Sequence, residues 1–326
     1  MSVLQICPNH ADHISYYNDK YLNEMFARGN VIAQPKYDGE RMLIHIDGEN
    51  IYCTSRRIST KTKQYMENQD KVPVLHEIFK DVKKMAYTVL DCECYAKDWS
   101  TSASILHSLP EKAIELQKQD VLKFACFDCL FFNGTDIRER PYIERLECLL
   151  SVLHNVESLD CHPVKFMNNS SSPGGASLLV PVQNKQHAEQ MMQTALDNGF
   201  EGIVLKSLHK TYYEKGASLK CKKFETVDVV VIDVQQGRGK YADTIGALRV
   251  GYFDGGDEED FTIISNVNCS TDEERNWWRD NWPQARYSVI EVKCQEVTDK
   301  SLRHPVYLRR RDDKSFTDCT KDTIFK

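Results

Sequence analysis

One lysine stands in a setting that suits covalent chemistry. Lys36 lies in the run Gln34-Pro-Lys-Tyr-Asp-Gly-Glu-Arg41, in which a turn-forming Asp-Gly pair precedes an alternating, strand-like stretch. A lysine amine can act as a covalent nucleophile, which divides one difficult group transfer into easier steps. Attack requires the neutral amine, and the pKa of a free lysine is about 10.4, so a reactive lysine needs other cations nearby. By itself the run is more typical of a hairpin entrance with an exposed lysine, and the rest of the chain must decide.

Further short motifs follow Lys36 in a fixed order. They are Val89-Leu-Asp91-Cys-Glu93, Phe127-Asp128 with Asn133-Gly134, Glu201-Gly-Ile-Val-Leu-Lys206, Leu219-Lys220-Cys-Lys222, and His304-Pro305 through Arg311-Asp-Asp313-Lys314. In their order and spacing, from about Val31 to Lys314, they make the sequence resemble the covalent nucleotidyltransferases and, within them, the ATP-dependent DNA ligases. Ser55-Arg56 and the run from Gly237 to Leu248 also resemble ligase motifs, which favours a ligase over the related capping guanylyltransferases.

The resemblance implies a set of residues for the chemical step. Lys36 would form the covalent bond to AMP, and Lys220 and Lys222 would lie close to the α-phosphate, where cations stabilise developing charge. Glu201 is the expected ligand of Mg²⁺ or Mn²⁺, because hard metal ions prefer oxygen donors. Glu93 is expected to contact the same metal or the ribose. The alternative is that these carboxylates are surface residues at strand ends.

The resemblance also implies contacts to the base and to DNA. Phe127 would stack on the adenine with Val204 as the opposite apolar wall, although a phenylalanine in an apolar strand is by itself more typical of a core. Gln34 could accept a hydrogen bond from the adenine amino group. Arg41 and Arg56 would bind the 5′-phosphate of a nicked strand, since the planar guanidinium binds phosphate bidentately. The expected nucleotide-binding set therefore comprises Gln34, Lys36, Arg41, Arg56, Glu93, Phe127, Val204, Lys220 and Lys222.

Three further catalytic residues belong to the C-terminal part of the chain: Arg311, Asp313 and Lys314. In the enzymes that the sequence resembles, these residues lie on a second domain that closes over ATP and orients the pyrophosphate leaving group. That domain must then swing away so that DNA can enter, which implies a hinge near Asp228.

The pattern of elements predicts an α+β fold with two domains. Strand-like runs occur at 42–46, 87–90, 124–132, 202–205 and 227–232, and helical periodicity at 143–153 and 185–196. Because helices and strands do not alternate regularly, a mixed antiparallel nucleotidyltransferase domain (1–227) is expected rather than a parallel sheet. Short strands and glycine-rich turns then predict a C-terminal OB-fold β-barrel (228–326).

Composition limits the function classes. The chain has 326 residues, 41% hydrophobic and 28% charged, with a formal net charge of −6, which is typical of a folded globular protein. Lysines concentrate between 206 and 223, so one basic cleft in an acidic protein could bind a polyanion. The N-terminus lacks the features of a signal peptide, and no apolar run is long enough to cross a membrane.

Several expectations follow for location, cofactors and partners. The twelve cysteines are expected to be reduced thiols of an intracellular protein. Zinc is not expected, because the pairs Cys92-X-Cys94 and Cys126-X-X-Cys129 lie in strand-like runs, where the period of two can direct the members of a pair to different faces. We expect a monomer that uses ATP and Mg²⁺ or Mn²⁺ and acts on nicked double-stranded DNA without a membrane. With 35 residues ahead of Lys36, DNA binding is expected to come from the two core domains.

Two other readings remain open at this point. An RNA ligase or a capping enzyme of the same superfamily would share most of the motifs. A binding protein of a different class, a strand-binding module with an inactive catalytic half, should have lost Lys36, Glu201 or Lys222, and all three are present.

Overall fold

The computed structural model describes residues 12–13, 19–82, 85–156, 161–163, 181–256, 260–269 and 271–325. Its internal contacts divide the chain into two compact units, residues 1–222 and 223–326. The domain boundary expected from the sequence, between 227 and 228, therefore lies a few residues inside the second unit. The Ser-, Pro- and Gly-rich run at 168–175, which by its composition is expected to be an exposed loop, lies outside the described residues.

The first unit contains helices and strands in irregular order. They are β1 (Asp12–His13), α1 (Asp19–Arg28), β2 (Val31–Lys36), β3 (Glu40–Asp47), β4 (Asn50–Ile58), β5 (Tyr65–Glu67), α2 (Leu75–Ile78), β6 (Thr88–Tyr95), α3 (Trp99–Leu106), α4 (Pro110–Gln117), β7 (Lys123–Phe132), β8 (Thr135–Asp136), α5 (Tyr142–Leu153), β9 (Cys161–Pro163), α6 (Lys185–Asp197), β10 (Gly202–Ser207) and β11 (Ser218–Lys222). Short 3-10 helices occupy 69–71 and 80–82.

A four-stranded sheet with the order β1-β11-β10-β2 forms one half of this unit. Side chains alternate along a strand, so each of its strands has an apolar and a polar side. Val31, Ala33, Ile203, Leu205 and Leu219 lie in one buried cluster with residues of α1 and α6. The alternate residues of β2, β10 and β11 therefore belong to the opposite face.

A larger sheet with the order β5-β4-β3-β6-β7-β8 forms the other half, and β9 pairs with β7. Its neighbouring long strands are antiparallel. The core against it contains apolar residues of α2, α3 and α5 together with Met42, Ile44, Leu90 and Phe124. The two helices expected from the sequence, at 143–153 and 185–196, correspond to α5 and α6. Asn184 caps the N-terminus of α6 by accepting from the His187 amide, and α6 ends ahead of Gly199, whose φ is +80°.

One sequence expectation for this sheet is wrong. Cys92 and Cys94 do not diverge, because residues two apart on β6 share a face, and both are fully buried in the core. The Sγ atoms of Cys92 and Cys126 lie 2.9 Å apart across β6 and β7. Within the described residues no group of three or more His, Cys, Asp or Glu side chains is arranged to hold a metal ion.

The second unit is built on antiparallel strands with its own core. Its elements are β12 (Glu225–Gln236), β13 (Ile245–Phe253), β14 (Phe261–Val267), α7 (Asp272–Asn281), β15 (Val289–Cys294), β16 (Glu296–Val297), β17 (Leu302–Arg303), β18 (Val306–Arg310) and α8 (Lys321–Ile324). Of the described strands, β16 pairs with β17 in a separate two-stranded sheet, and five others form a sheet with the order β14-β13-β12-β15-β18, which is not a closed barrel. Trp278 of α7 is fully buried against this sheet, and a Thr271–Glu274 capping box begins α7.

The predicted fold class is confirmed at this level: the chain is α+β with mixed, mainly antiparallel sheets. The run at 237–241 lies in the connection between β12 and β13, where Gly239 begins a 3-10 turn. No helix in the described ranges combines the length and the hydrophobicity that a membrane span requires.

Candidate active site

Lys36 and Lys222 lie in one row across three strands. Gly202 of β10 pairs with Lys36 of β2 on one side and with Lys222 of β11 on the other. A Cβ atom on Gly202 would come within 2.1 Å of the Cys221 carbonyl oxygen, and its φ is +148°, so only glycine fits. The glycine therefore allows β10 and β11 to approach closely between the two lysines.

The next row on the same face holds residues of the expected base pocket. Gln34 of β2 pairs with Val204 of β10, and Val204 pairs with Lys220 of β11. Since side chains two apart point the same way, Lys220 and Lys222 share the face that carries Lys36. The apolar cluster with α1 and α6 lies on the other face, whereas Lys36, Val204, Lys220 and Lys222 on this face are partly exposed.

Glu201 connects the two lysines of the first row. One carboxylate oxygen contacts Lys36 Nζ and the other contacts Lys222 Nζ. Burial opposes the ionised form, but Lys36 and Lys222 outweigh it and hold the pKa of Glu201 below its ordinary value. Its backbone amide also donates to the Lys36 carbonyl oxygen over 3.1 Å. Glu201 therefore orients both amines.

The second carboxylate and the third lysine of the site have shifted pKa values. Burial, helped by Lys36 and Arg41, lowers the pKa of Lys220 to about 8. Burial raises the pKa of Glu93 to about 7, although Lys36, Arg41 and Lys220 act in the opposite direction. Both groups therefore change protonation near neutral pH, as groups in functional sites commonly do.

The two carboxylates fit a magnesium ion only in combination with a substrate. Mg²⁺ usually keeps several waters and binds one or two carboxylates together with phosphate oxygens. Glu201 and Glu93 supply two such carboxylates beside three lysines. Two carboxylates are too few for a closed protein cage, so they could hold such an ion together with phosphate oxygens of a substrate.

Arg41 is held inside the protein. Its guanidinium makes a bidentate ion pair with the fully buried Asp91, and it donates to the Tyr212 hydroxyl over 3.0 Å. The Tyr212 hydroxyl in turn donates to Asp91. In the sequence Asp91 stands only within the motif that contains Glu93, and Tyr212, far along the chain, belongs to none of the motifs.

Phe127 lies among cations. The Arg41 guanidinium is 5.2 Å and Lys206 Nζ is 4.7 Å from the centre of its ring. Lys206 is buried, donates to the Phe127 carbonyl oxygen over 3.0 Å, and lies 3.9 Å from Asp128. Asp128 makes a bidentate pair with the buried Arg145 at 2.8 and 3.0 Å. Cation–π contacts from Arg41 and Lys206 thus hold the ring of Phe127.

Gln34 and Tyr142 form a second buried contact beside Phe127. Gln34 Nε2 donates to the Tyr142 hydroxyl over 3.0 Å, and that hydroxyl donates to the Phe127 carbonyl oxygen over 2.8 Å. Tyr142 begins α5, and the helical pattern predicted that helix but not a contact between its first residue and β2.

Arg56 is separate from these contacts. It lies on β4, exposed, next to the buried Ser55. The structure therefore groups most expected nucleotide-binding residues around β2, β10 and β11, and leaves the Arg56 side chain exposed to solvent.

The expected catalytic residues of the second unit form a cluster of their own. Arg311 makes two hydrogen bonds to Asp228, at 3.0 and 2.9 Å, and two to Asp313, at 2.9 and 2.8 Å. Lys314 Nζ donates to the same Asp228 carboxylate over 2.6 Å. Asp228 lies within β12, and its carboxylate binds both Arg311 and Lys314.

Known proteins share both sequence and fold with this chain. Residues 15–223 match a family model described as the ATP dependent DNA ligase domain. A DNA ligase of Sulfolobus acidocaldarius is 24% identical over 90% of this chain and 54% of its own length. DNA ligase 1 of Methanosarcina mazei is 29% identical over 69% of this chain and 39% of its own length. The chain thus spans about half, or less, of these curated relatives.

Two solved structures have the same fold at low sequence identity. The structure named Pmar-Lig_Pre superposes with a TM-score of 0.70 and 17% identity, covering 94% of this chain and 67% of that one. A structure described as "DNA binding with a minimal scaffold: Structure-function analysis of Lig E DNA ligases" has a TM-score of 0.62 and 17% identity, covering 94% of this chain and 99% of that one. With the matched family model, these results place the chain in the ATP-dependent DNA ligase domain family.

Proposed function

We propose that the protein is an ATP-dependent DNA ligase that seals nicks between a 3′-hydroxyl and a 5′-phosphate in duplex DNA. AMP would first bind covalently to Lys36 and then pass to the 5′-phosphate, before the 3′-hydroxyl displaces it. The observation that carries the proposal is the contact of one carboxylate, that of Glu201, with the amines of both Lys36 and Lys222 on the same face of the sheet. Family membership supports the same reaction.

In the first step Lys36 Nζ attacks the α-phosphorus of ATP, a phosphorus–nitrogen bond forms, and pyrophosphate leaves. Glu201 orients Lys36 Nζ through the contact described above. Lys220 and Lys222 lie on the same face and neutralise charge that develops on the α-phosphate. Mg²⁺ or Mn²⁺, when bound with ATP at Glu201 and Glu93, would supply further neutralisation of phosphate charge.

The base pocket follows from the second row. Adenine stacks on Phe127 with Val204 as the opposite wall, and the Gln34 amide meets the base edge. Both apolar residues are partly exposed, whereas their neighbours along the strands are buried. That exposure supports a ligand-facing position for Phe127 and Val204.

For the second unit we propose an OB-fold that carries Arg311, Asp313 and Lys314 as the residues acting on the pyrophosphate. The strand order β14-β13-β12-β15-β18 is that of an OB-fold sheet before closure. A parallel bridge between Asn268 and Val306, next to the two edge strands, supports closure. The first unit would then be the adenylation domain.

For DNA we propose that the protein binds a nicked duplex as a monomer. The side chain of Arg56 is exposed to solvent, so a DNA phosphate can reach it. Arg41 would reach a phosphate only by exchanging its ion pair with Asp91. Arg56 is therefore the stronger candidate for the 5′-phosphate contact, and Arg41 the candidate for nucleotide.

The test is covalent labelling without DNA. The protein is incubated with Mg²⁺ and α-labelled ATP or GTP, denatured, and examined for label on the chain. Label from ATP is expected on the wild type and not on Lys36→Ala, and nicked duplex should then chase it into a sealed strand. Exposed Lys112→Ala on α4 is the matched control that keeps full labelling.

Other outcomes would identify the alternatives. Label from GTP would indicate a capping enzyme, and a chase by RNA alone would indicate an RNA ligase. Folded protein that takes label from neither nucleotide would contradict the proposal and leave a binding protein.

A further inference from the structure

Gln34 is a buried amide at the edge of the proposed base pocket. Its side chain is 2% exposed, and among the described residues its one hydrogen-bond partner is the Tyr142 hydroxyl, to which Nε2 donates over 3.0 Å. It lies in the row with Val204, two residues from Lys36 on the same strand. An amide in this position can present either its oxygen or its nitrogen to a ligand, and the two would recognise different bases.

The hydrogen atoms of the Tyr142 contact decide which atom is presented. A tyrosine hydroxyl has one proton to donate, and here it is given to the Phe127 carbonyl oxygen over 2.8 Å. A carbonyl can only accept, so this direction cannot reverse. Toward Gln34 the hydroxyl is therefore left with its lone pairs, and only the Nε2 end of the amide can satisfy it.

Two features of the surroundings stabilise this arrangement. Burial, together with the Asp128 carboxylate, raises the pKa of Tyr142 well above its ordinary value, so the hydroxyl keeps its proton. The ring is 2% exposed and packs in the main core, so it cannot turn away. The contact with Tyr142 thus sets the orientation of the Gln34 amide before any ligand binds.

The consequence is a preformed hydrogen-bond acceptor. With Nε2 committed to Tyr142, Oε1 is the end of the amide left for a base. A 6-amino purine offers a donor to that oxygen, whereas a 6-oxo purine offers another acceptor, and two facing acceptors leave buried polar atoms unpaired.

We propose that Tyr142 is a positioning residue for base selection: it locks Gln34 so that its oxygen selects the 6-amino group of adenine over the 6-oxo group of guanine or hypoxanthine. This inference rests on the proposed adenylylation of Lys36 and extends it to a residue that lies outside the ligase motifs quoted above. Tyr142 itself touches no reacting atom.

The test compares three nucleotides that differ at purine position 6. ATP carries an amino group, inosine triphosphate an oxo group, and purine riboside triphosphate no substituent. For each, the efficiency of covalent labelling of Lys36 is measured in the wild type, Tyr142→Phe, Gln34→Leu and the double variant. Tyr87→Phe is the matched control, because it removes a tyrosine hydroxyl of the same unit that bonds His45 instead.

The wild type is expected to prefer ATP over both other nucleotides by about tenfold or more. Tyr142→Phe should reduce that preference about tenfold while leaving labelling by purine riboside triphosphate within about twofold. A merely structural role would lower all three efficiencies together. Gln34→Leu should lose the same preference, and the double variant should lose no more, since both substitutions remove one contact.

Each failure has a separate meaning. A wild type that is not labelled by ATP contradicts the proposed function. A wild type that is labelled equally by ATP and purine riboside triphosphate overturns the inference without any substitution, even if Tyr142→Phe does not fold. An unchanged preference in Tyr142→Phe, or losses that add in the double variant, overturns it as well.

Discussion

The ammonium group of Lys206 lies in the interior of the first unit, 4.7 Å from the centre of the Phe127 ring and 4.2 Å from that of Tyr142. Burial lowers its pKa to about 8, although Asp128 acts in the opposite direction. Burial of this charged group therefore lowers the stability of the fold, while its contacts hold it close to the ring that is proposed to stack on adenine.

This cost predicts a pH dependence of stability. The pKa of Lys206 is lower in the folded state than its ordinary value of 10.5. Between about pH 8 and pH 10.5 the unfolded chain holds the proton and the folded chain does not, so stability rises as the pH is raised through this range. Below about pH 8 both states are protonated, and this contribution no longer changes with pH. The free energy of unfolding of the wild type should increase relative to Lys206→Met by on the order of 2 kcal/mol between pH 8 and pH 10.

Urea denaturation at a series of pH values measures this difference without nucleotide. Lys112→Met, at an exposed position on α4, should run parallel to the wild type over the same range. If the free energy of unfolding of Lys206→Met also follows the wild type over this pH range, burial does not lower the pKa of Lys206 and the prediction is wrong.

At the scale of elements, the site depends on how closely β10 approaches β11. Gly202 allows that approach, because a side chain there would meet the Cys221 carbonyl oxygen at 2.1 Å. The pairing holds Lys36 and Lys222 on either side of Glu201. The glycine is therefore a structural requirement of the two ion pairs.

Gly202→Ala should reduce the free energy of unfolding by about 3 kcal/mol, through backbone strain and the clash together. Gly199→Ala is the matched control: Gly199 also has a positive φ, but nothing lies within 4 Å of a Cβ there, so a loss of about 1 kcal/mol is expected. If the two variants lose the same free energy of unfolding, the clash with the Cys221 carbonyl oxygen does not contribute to the loss at Gly202. Denaturant titration followed by Lys36 labelling separates lost stability from lost activity.

At the scale of the whole molecule, the chain has two sets of buried clusters that share no residue. One set contains Leu90 and Phe124 of the first unit, and the other contains Trp278 and Val292 of the second. Each unit thus has the core that a cooperatively folding domain requires.

Scanning calorimetry should therefore resolve two unfolding transitions. Leu90→Ala, which opens a cavity in the first core, should lower one transition by several degrees and leave the other unchanged, and Trp278→Phe should do the reverse. If both variants shift one common transition, the units unfold as a single cooperative body and the prediction is wrong.

The sequence by itself determined the fold class, most element positions and the motif residues. Period-two and helical patterns are local properties, so the strands around 42–46, 124–132 and 202–205 and the helices at 143–153 and 185–196 were predicted correctly. The site residues could be named because their types and order suit one chemistry, and the family match supports that chemistry.

Only the tertiary structure decided which of these residues meet. Asp228 had no predicted contact, and it binds Arg311 and Lys314 across more than eighty residues of chain. Glu201 had no predicted contact with the lysines, and its carboxylate joins Lys36 to Lys222. Tyr142 had no predicted role, and it binds Gln34 from the start of a helix. Such contacts depend on register and packing between distant segments, which no local pattern of residues encodes.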